Sequence, residues 1–228
     1  MDRDGGYETV LDRWALKMVA RPLGLVSKRL KDWGWKADWV TVGGFCIGLG
    51  AMPALYLGLY WLALLFIVLN RIGDGVDGTL ARMTEVSDGG GYLDIVCDFI
   101  FYGAVVLGFG LADPLNNAIA AATLLFTFIG TGSSFLGFAV MAERCGVKNL
   151  VYPQKGIYYL GGLTEGTETL IILVLFCLLP SHFALLAYVF AFLCLLTMLS
   201  RLVGGYLLLR RVNSGSVVEK GRILCNND

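Results

Sequence analysis

The chain has 228 residues, 57% of them hydrophobic and 16% charged, and its 18 basic and 18 acidic side chains cancel. So much apolar surface cannot be hidden around one soluble core of this size, which excludes an ordinary soluble domain and leaves an all-α integral membrane protein. No nucleic-acid partner is expected, and the net charge of zero hides a strong asymmetry along the chain.

Residues 1–38 are charged and amphipathic. Val10, Leu11, Trp14, Ala15, Met18, Val19, Leu23, Val26 and Leu30 recur at helical spacing, with Arg13, Lys17, Arg21, Lys28, Arg29 and Lys31 on the remaining faces. The pattern predicts an N-terminal amphipathic helix lying in the headgroup region, bent at Pro22. This stretch lacks the apolar core and small-residue cleavage site of a signal peptide, so the first span is expected to act as its own insertion signal. Six transmembrane helices are then predicted near 39–57, 60–82, 88–112, 117–141, 163–180 and 183–209, a span needing about 20 mostly apolar residues. A polar tail, 212–228, closes the chain. The links around Gly58, Pro114 and Ser181 fall on one side, without a Lys or Arg. The N-terminus, the 83–87 turn, the 142–162 segment and the tail fall on the other, and every Lys and Arg lies there or in adjoining helix ends. The positive-inside rule makes that side, and both termini, cytoplasmic.

Gly44, Gly48, Gly130, Gly132, Gly204 and Gly205 are expected to let helix backbones approach closely, and Thr123, Thr127, Thr131 and Ser134 form a mildly polar stripe. Cys46, Cys97, Cys177 and Cys194 sit inside apolar runs as small hydrophobes, while Cys145 and Cys225 lie in polar segments; no C-x-x-C pair occurs.

The second and third spans carry carboxylates. Asp74 and Asp77 are three apart on one helix face; Asp94 and Asp98 are four apart on the next helix. A short turn makes these helices antiparallel neighbours, so the four groups converge roughly 10 Å below the cytoplasmic surface at 1.5 Å per residue. Each ionised aspartate near a helix centre costs about 2.5–3.5 kcal/mol on insertion scales, and neighbouring charges repel. Divalent cations relieve both penalties: hard oxygen ligands suit Mg²⁺ or Mn²⁺, and four carboxylates can hold two ions. Such pairs recur in phosphoryl transfer. Gly75, Gly78, Gly89, Gly90 and Gly91 leave room for a phosphorylated substrate beside them.

The spacing D-x-x-D-G-x-x-A-R followed by G-x-x-x-D-x-x-x-D resembles the signature of the CDP-alcohol phosphotransferases (CDP-alcohol phosphatidyltransferases). All eight fixed positions are present: Asp74, Asp77, Gly78, Ala81, Arg82, Gly90, Asp94 and Asp98. Seven residues separate Arg82 from Gly90, one fewer than the family pattern, which tightens the turn without touching the spacings within either helix. The resemblance implies a catalytic domain over 39–211 that transfers a phospho-alcohol unit from a CDP-linked donor to an acceptor hydroxyl and releases CMP. It implies Asp74, Asp77, Asp94 and Asp98 as ligands of two Mg²⁺ or Mn²⁺ ions, with Asp98 also the general base. Gly78, Ala81, Arg82 and Gly90 would line the CDP site, with Arg82 neutralising phosphate charge. Related members transfer the phospho-alcohol of CDP-choline or CDP-ethanolamine to diacylglycerol, so the donor is open between a CDP-lipid such as CDP-diacylglycerol and a CDP-linked small alcohol. A homodimer is also implied; a bacterial plasma membrane is the expected location.

For the acceptor, a small alcohol or phospho-alcohol, Lys148, Lys155 and Arg201 are candidate phosphate ligands, although the two lysines are expected first as positive-inside membrane anchors. Glu165 and Glu168 would pair with Arg201, bind a polyol, or meet a cationic alcohol. His182, at the outer link, is expected to be solvated. Two other classes stay open: a divalent-cation or proton-coupled transporter using the aspartates as its ion site, and a scaffold in which they pair only with Arg71 and Arg82. The first needs a polar route through outer helix halves that are almost wholly apolar.

Overall fold

The computed structural model describes residues 22–145, 164 and 166–213, with side chains through 210. Among them no strand occurs. The helices are α1 (22–32), α2 (Ala37–Leu49), α3 (Ala51–Tyr56), α4 (Tyr60–Met83), α5 (Asp88–Ala112), α6 (Pro114–Arg144), α7 (Gly166–Leu178) and α8 (Phe183–Asn213), with a 3₁₀ turn at Pro180–His182.

Local chemistry explains where helices stop. Gly34 (φ 76°) and Gly58 (φ 71°) follow α1 and α3 in left-handed conformation. Each makes the paired bonds of a Schellman cap: Gly34 N–H to Lys31 O with Trp35 N–H to Leu30 O, and Gly58 N–H to Leu55 O with Leu59 N–H to Ala54 O. The Ser87 hydroxyl accepts from Gly90 N–H at 3.0 Å and caps α5; Asp113 caps α6 by accepting from Asn116 N–H, with Pro114 at the first helical position. The single span predicted over 39–57 is divided into α2 and α3. Gly50 N–H turns to Ile47 O at 3.0 Å, and Pro53 has no N–H for the Leu49 carbonyl.

Four stretches are long and apolar enough to cross a bilayer: Ala37–Tyr56, Asp88–Ala112, Pro114–Arg144 and Pro180–Arg210. The 24-residue α4 has the length but carries Arg71, Asp74, Asp77 and Arg82 from its midpoint onward. α7 has 13 residues, about 20 Å at 1.5 Å per residue. Trp61, Leu115, Ile119, Phe126, Ile129 and Leu185 are exposed, a surface suited to lipid tails rather than water.

The described residues form two compact units. The first holds those up to Ala51 together with Leu62–Phe101; the second holds Met52–Trp61 and those from Tyr102 on. Within the first, α2 and α4 run antiparallel in backbone contact. A Cβ on Gly73 would lie 3.1 Å from the Gly44 Cα, and Asn70 Nδ2 donates to Gly44 O at 3.1 Å. α1 docks on α4: the buried Ser27 hydroxyl donates to Val76 O at 3.0 Å, and Lys31 Nζ to Met83 O at 2.7 Å. A helix thus occupies the predicted amphipathic segment from Pro22 on; the part before Pro22 lies outside the described residues.

Within the second unit, α6 and α8 run parallel. Phe128 meets Phe190, Arg201 lies over Phe135, and a Cβ on Gly205 would touch Phe138, so contacts climb both helices together. The chain must therefore return between them, and α7 does so. The Thr164 hydroxyl, just before α7, bonds Thr197 at 3.0 Å, while Phe176 near its end packs on Phe183 and Phe109.

Candidate active site

The first unit gathers the motif residues. α4 presents Asp74 and Asp77 one turn apart, and α5 presents Asp94 and Asp98 one turn apart. One oxygen each from Asp74, Asp94 and Asp98 lies within 4.8 Å of the others. All four aspartates line one small cavity with Thr41, Asn70, Arg71 and Cys97. Asp77 is 6% exposed, and its Oδ2 is buried without a hydrogen-bond partner. An ionised oxygen in that state costs several kcal/mol unless a cation reaches it. The orphaned oxygen and the converging carboxylates therefore fit a divalent metal.

A second cavity of about 210 Å³ is lined by Gly78, Ala81, Arg82 and Gly90, the four residues expected to bind CDP, together with Asp38, Ser87, Asp77 and Asp94. Asp77 and Asp94 line both cavities, so the larger pocket opens on the carboxylate cluster. Gly90 has little room for a side chain: an added Cβ would lie 3.1 Å from both Asp38 Oδ1 and Ser87 Oγ. Arg82 is exposed at the rim and donates to Thr79 Oγ1 at 3.2 Å. It shows no ion pair with an aspartate among the described residues, whereas Arg71 does. Arg71 Nη2 lies 2.5 Å from Asp98 Oδ1, and Nη1 lies 3.6 Å from Asp74 Oδ2. Part of the locking role considered from sequence is thus present.

The acceptor candidates are divided. Arg201, half-buried on α8, sits 5.5 Å above the Phe135 ring, and Glu168 is exposed in the first turn of α7; both belong to the second unit. Lys148, Lys155 and Glu165 lie outside the described residues. The sequence reading passed over Asn70, Thr41 and Asp38. Asn70 had a signal, a carboxamide inside an apolar run beside the only arginine of that run.

The profile of the CDP-alcohol phosphatidyltransferase family matches residues 35–203. The chain belongs to that family, membrane transferases of phospholipid biosynthesis. It is 52% identical over 201 residues to the inner membrane protein YnjF of Escherichia coli, covering 88% of this chain and 98% of that one. It is 29% identical over 138 residues to the archaetidylinositol phosphate synthase of Pyrococcus horikoshii, covering 55% and 73%. The fold resembles the crystal structure of Mycobacterium tuberculosis phosphatidylinositol phosphate synthase with CDP-DAG bound. That match has a TM-score of 0.62 at 21% identity and covers 82% of this chain and 94% of the other.

Proposed function

We propose that the protein transfers a phosphatidyl group from a CDP-linked lipid, CDP-diacylglycerol or a close analogue, to the hydroxyl of a small alcohol or phospho-alcohol, releasing CMP. The observation that carries this reading is the shared wall of the two cavities: Asp77 and Asp94 belong both to the carboxylate cluster and to the pocket of Gly78, Ala81, Arg82 and Gly90. A nucleotide diphosphate seated in that pocket places its phosphates against the cluster. Two relatives named for inositol phosphate lipids, one of them with CDP-DAG bound, support a lipid donor.

Asp74, Asp77, Asp94 and Asp98 would hold two Mg²⁺ or Mn²⁺ ions, which supply charge neutralisation for the diphosphate. Arg82, at the pocket rim, bears on a phosphate oxygen and favours departure of CMP. The backbone beside Gly78 and Gly90 lets the nucleotide lie close, where a side chain would exclude it. Asp98 takes the proton of the acceptor hydroxyl. The acceptor oxygen then forms a bond to the lipid-bearing phosphorus, the anhydride bond breaks, and CMP leaves with the electron pair. Arg201 and Glu168 are the described candidates for acceptor binding, and Lys155 and Glu165 are candidates from sequence alone. The flanking segments 1–38 and 212–228 serve as juxtamembrane and tail regions of a 39–211 catalytic domain.

We further read α2–α3, α4, α5, α6, α7 and α8 as six spans with the aspartates toward the cytoplasm of a bacterial inner membrane, and the protein as a homodimer. The parallel α6 and α8 support the count, since the chain must cross between them. The name of the Escherichia coli relative supports the compartment.

CMP release by the purified full-length protein in mixed micelles tests the reading, with CDP-diacylglycerol, Mg²⁺ or Mn²⁺ and one acceptor at a time, glycerol phosphate and inositol phosphate first. Metal-dependent release with one acceptor, lost in Asp98→Asn, is expected. Silence with every acceptor, and with CDP-choline and CDP-ethanolamine as donors, would refute it. One observation favours a scaffold instead, the Arg71 ion pairs; that alternative requires the protein to bind no Mn²⁺.

A further inference from the structure

Arg71 places a permanent cation among the carboxylates. Nη2 donates to Asp98 Oδ1 at 2.5 Å and Nη1 to Asp98 Oδ2 at 3.3 Å, a fork that engages both oxygens of one carboxylate. Nη1 also lies 3.6 Å from Asp74 Oδ2. One guanidinium therefore bears on two of the three aspartates whose oxygens converge. Those oxygens are the ones a divalent ion needs, and Asp98 is also needed by the acceptor proton.

The remaining contacts show how the conflict can be resolved without expelling the charge. Asn70 Oδ1 accepts from Arg71 Nε at 3.0 Å and from Nη2 at 2.6 Å. The guanidinium carbon lies 5.2 Å from the Phe101 ring centroid, within range of a cation–π contact. Asn70 is itself fixed by its bond to Gly44 O and fills the space beside Gly48. Asn70 and Phe101 thus form a berth that holds Arg71 independently of Asp98.

We propose that Arg71 is the resident counter-cation of the acidic cluster: it neutralises Asp98 and Asp74 while no metal is bound, and yields Asp98 while staying berthed on Asn70 and Phe101 when divalent ions arrive. Arg71 is then a positioning residue, and the affinity for metal is set by competition with it. The inference rests on the metal-binding reading given above. Like charges a few ångströms apart repel strongly where water is scarce, so the native arginine weakens metal binding relative to a neutral residue. It also stabilises the metal-free fold, where uncompensated carboxylates would repel one another. A purely structural clasp between α4 and α5 predicts the second effect and not the first.

The test is a Mn²⁺ titration of the full chain in lipid nanodiscs, with free Mn²⁺ followed by electron paramagnetic resonance. Wild type, Arg71→Gln and Arg71→Lys are compared, and thermal midpoints are recorded in chelator and at saturating Mn²⁺. Arg71→Gln is expected to lower the Kd by about tenfold or more, and Arg71→Lys by about threefold because a single ammonium lacks the two-point hold. The Gln variant should melt below wild type in chelator, with the gap narrowing when metal is saturating. A Kd unchanged or raised by the substitutions overturns the proposal, as does a stability deficit that metal leaves undiminished. If the Gln protein does not fold, the Lys variant decides on the same criterion. Absence of Mn²⁺ binding by wild type would remove the metal reading itself, whereas wild-type binding with unresponsive variants removes only the role given to Arg71.

Discussion

Gly43 and Gly48 lie five residues apart on α2, and replacing each with alanine should have opposite consequences. A Cβ at Gly43 meets nothing within 4 Å, whereas one at Gly48 would lie 2.8 Å from Asn70 Nδ2 and 2.9 Å from Asn70 Cβ and Cγ. Asn70 cannot simply swing away. Its amide donates to Gly44 O, its carbonyl oxygen holds Arg71, and the residue is 5% exposed. Overpacking of this kind costs about 1–3 kcal/mol, and loss of the buried hydrogen bond adds about 1 kcal/mol. The helical preference of alanine over glycine returns about 0.5–1 kcal/mol in both variants. Gly43→Ala should therefore be neutral or slightly stabilising, and Gly48→Ala should be less stable than Gly43→Ala by about 2–4 kcal/mol, the sum of the two costs. Unfolding of both proteins by SDS in mixed micelles, followed by tryptophan fluorescence, measures the difference. Equal stability of the two variants would refute the claim that Asn70 is locked against α2.

Asp77→Asn should stabilise the metal-free protein by about 1–3 kcal/mol, because it removes the negative charge from a buried group whose Oδ2 lacks a partner, while weakening Mn²⁺ binding. Unfolding in chelator and a Mn²⁺ titration check the two halves, and a loss of metal-free stability would contradict the account of Oδ2. Ser27→Ala should cost about 1 kcal/mol by deleting the bond to Val76 O, read as a lower unfolding midpoint. Thr164→Val and Thr197→Val each leave one buried hydroxyl without its partner, so the double variant should lose less stability than the two singles together. Additive losses measured in the same unfolding assay would show that the pair is not coupled.

Much of this architecture is legible in the sequence because its causes are local. The third predicted helix, 88–112, ends where α5 ends, since Ser87 caps one terminus and Asp113-Pro114 opens the next helix. The aspartates converge as expected because three- and four-residue spacings fix helix faces, and a short turn fixes the antiparallel pair. Gly78, Ala81, Arg82 and Gly90, the residues expected to bind CDP, gather in one pocket for the same reason. The break at Gly50 had its cue in Pro53, three residues on, but hydropathy runs smoothly across it. The division of labour between Arg71 and Arg82 was not legible. Both precede or follow the motif aspartates at helical spacing, and only the packing of α5 against α4 decides that Arg71 meets Asp98 while Arg82 turns to Thr79. Asn70 was missed because its partners, Gly44 O and Arg71, lie on another helix and at an adjacent position that a periodic reading sends to a different face.

The approach of Gly44 to Gly73 also limits how this chain can drift. Where two side chains meet, a larger residue on one helix can be accommodated by a smaller one on the other, and lineages wander through such exchanges. Here the opposing surface is the partner's own Cα, and a Cβ on Gly73 would already stand 3.1 Å from it. Neither position has anything left to give up. The only accommodation open to the chain is to move α2 away from α4, and α4 carries Asp74 one residue beyond that contact. Change at either glycine is thus felt directly as displacement of the carboxylates, with no compensating route through its neighbour.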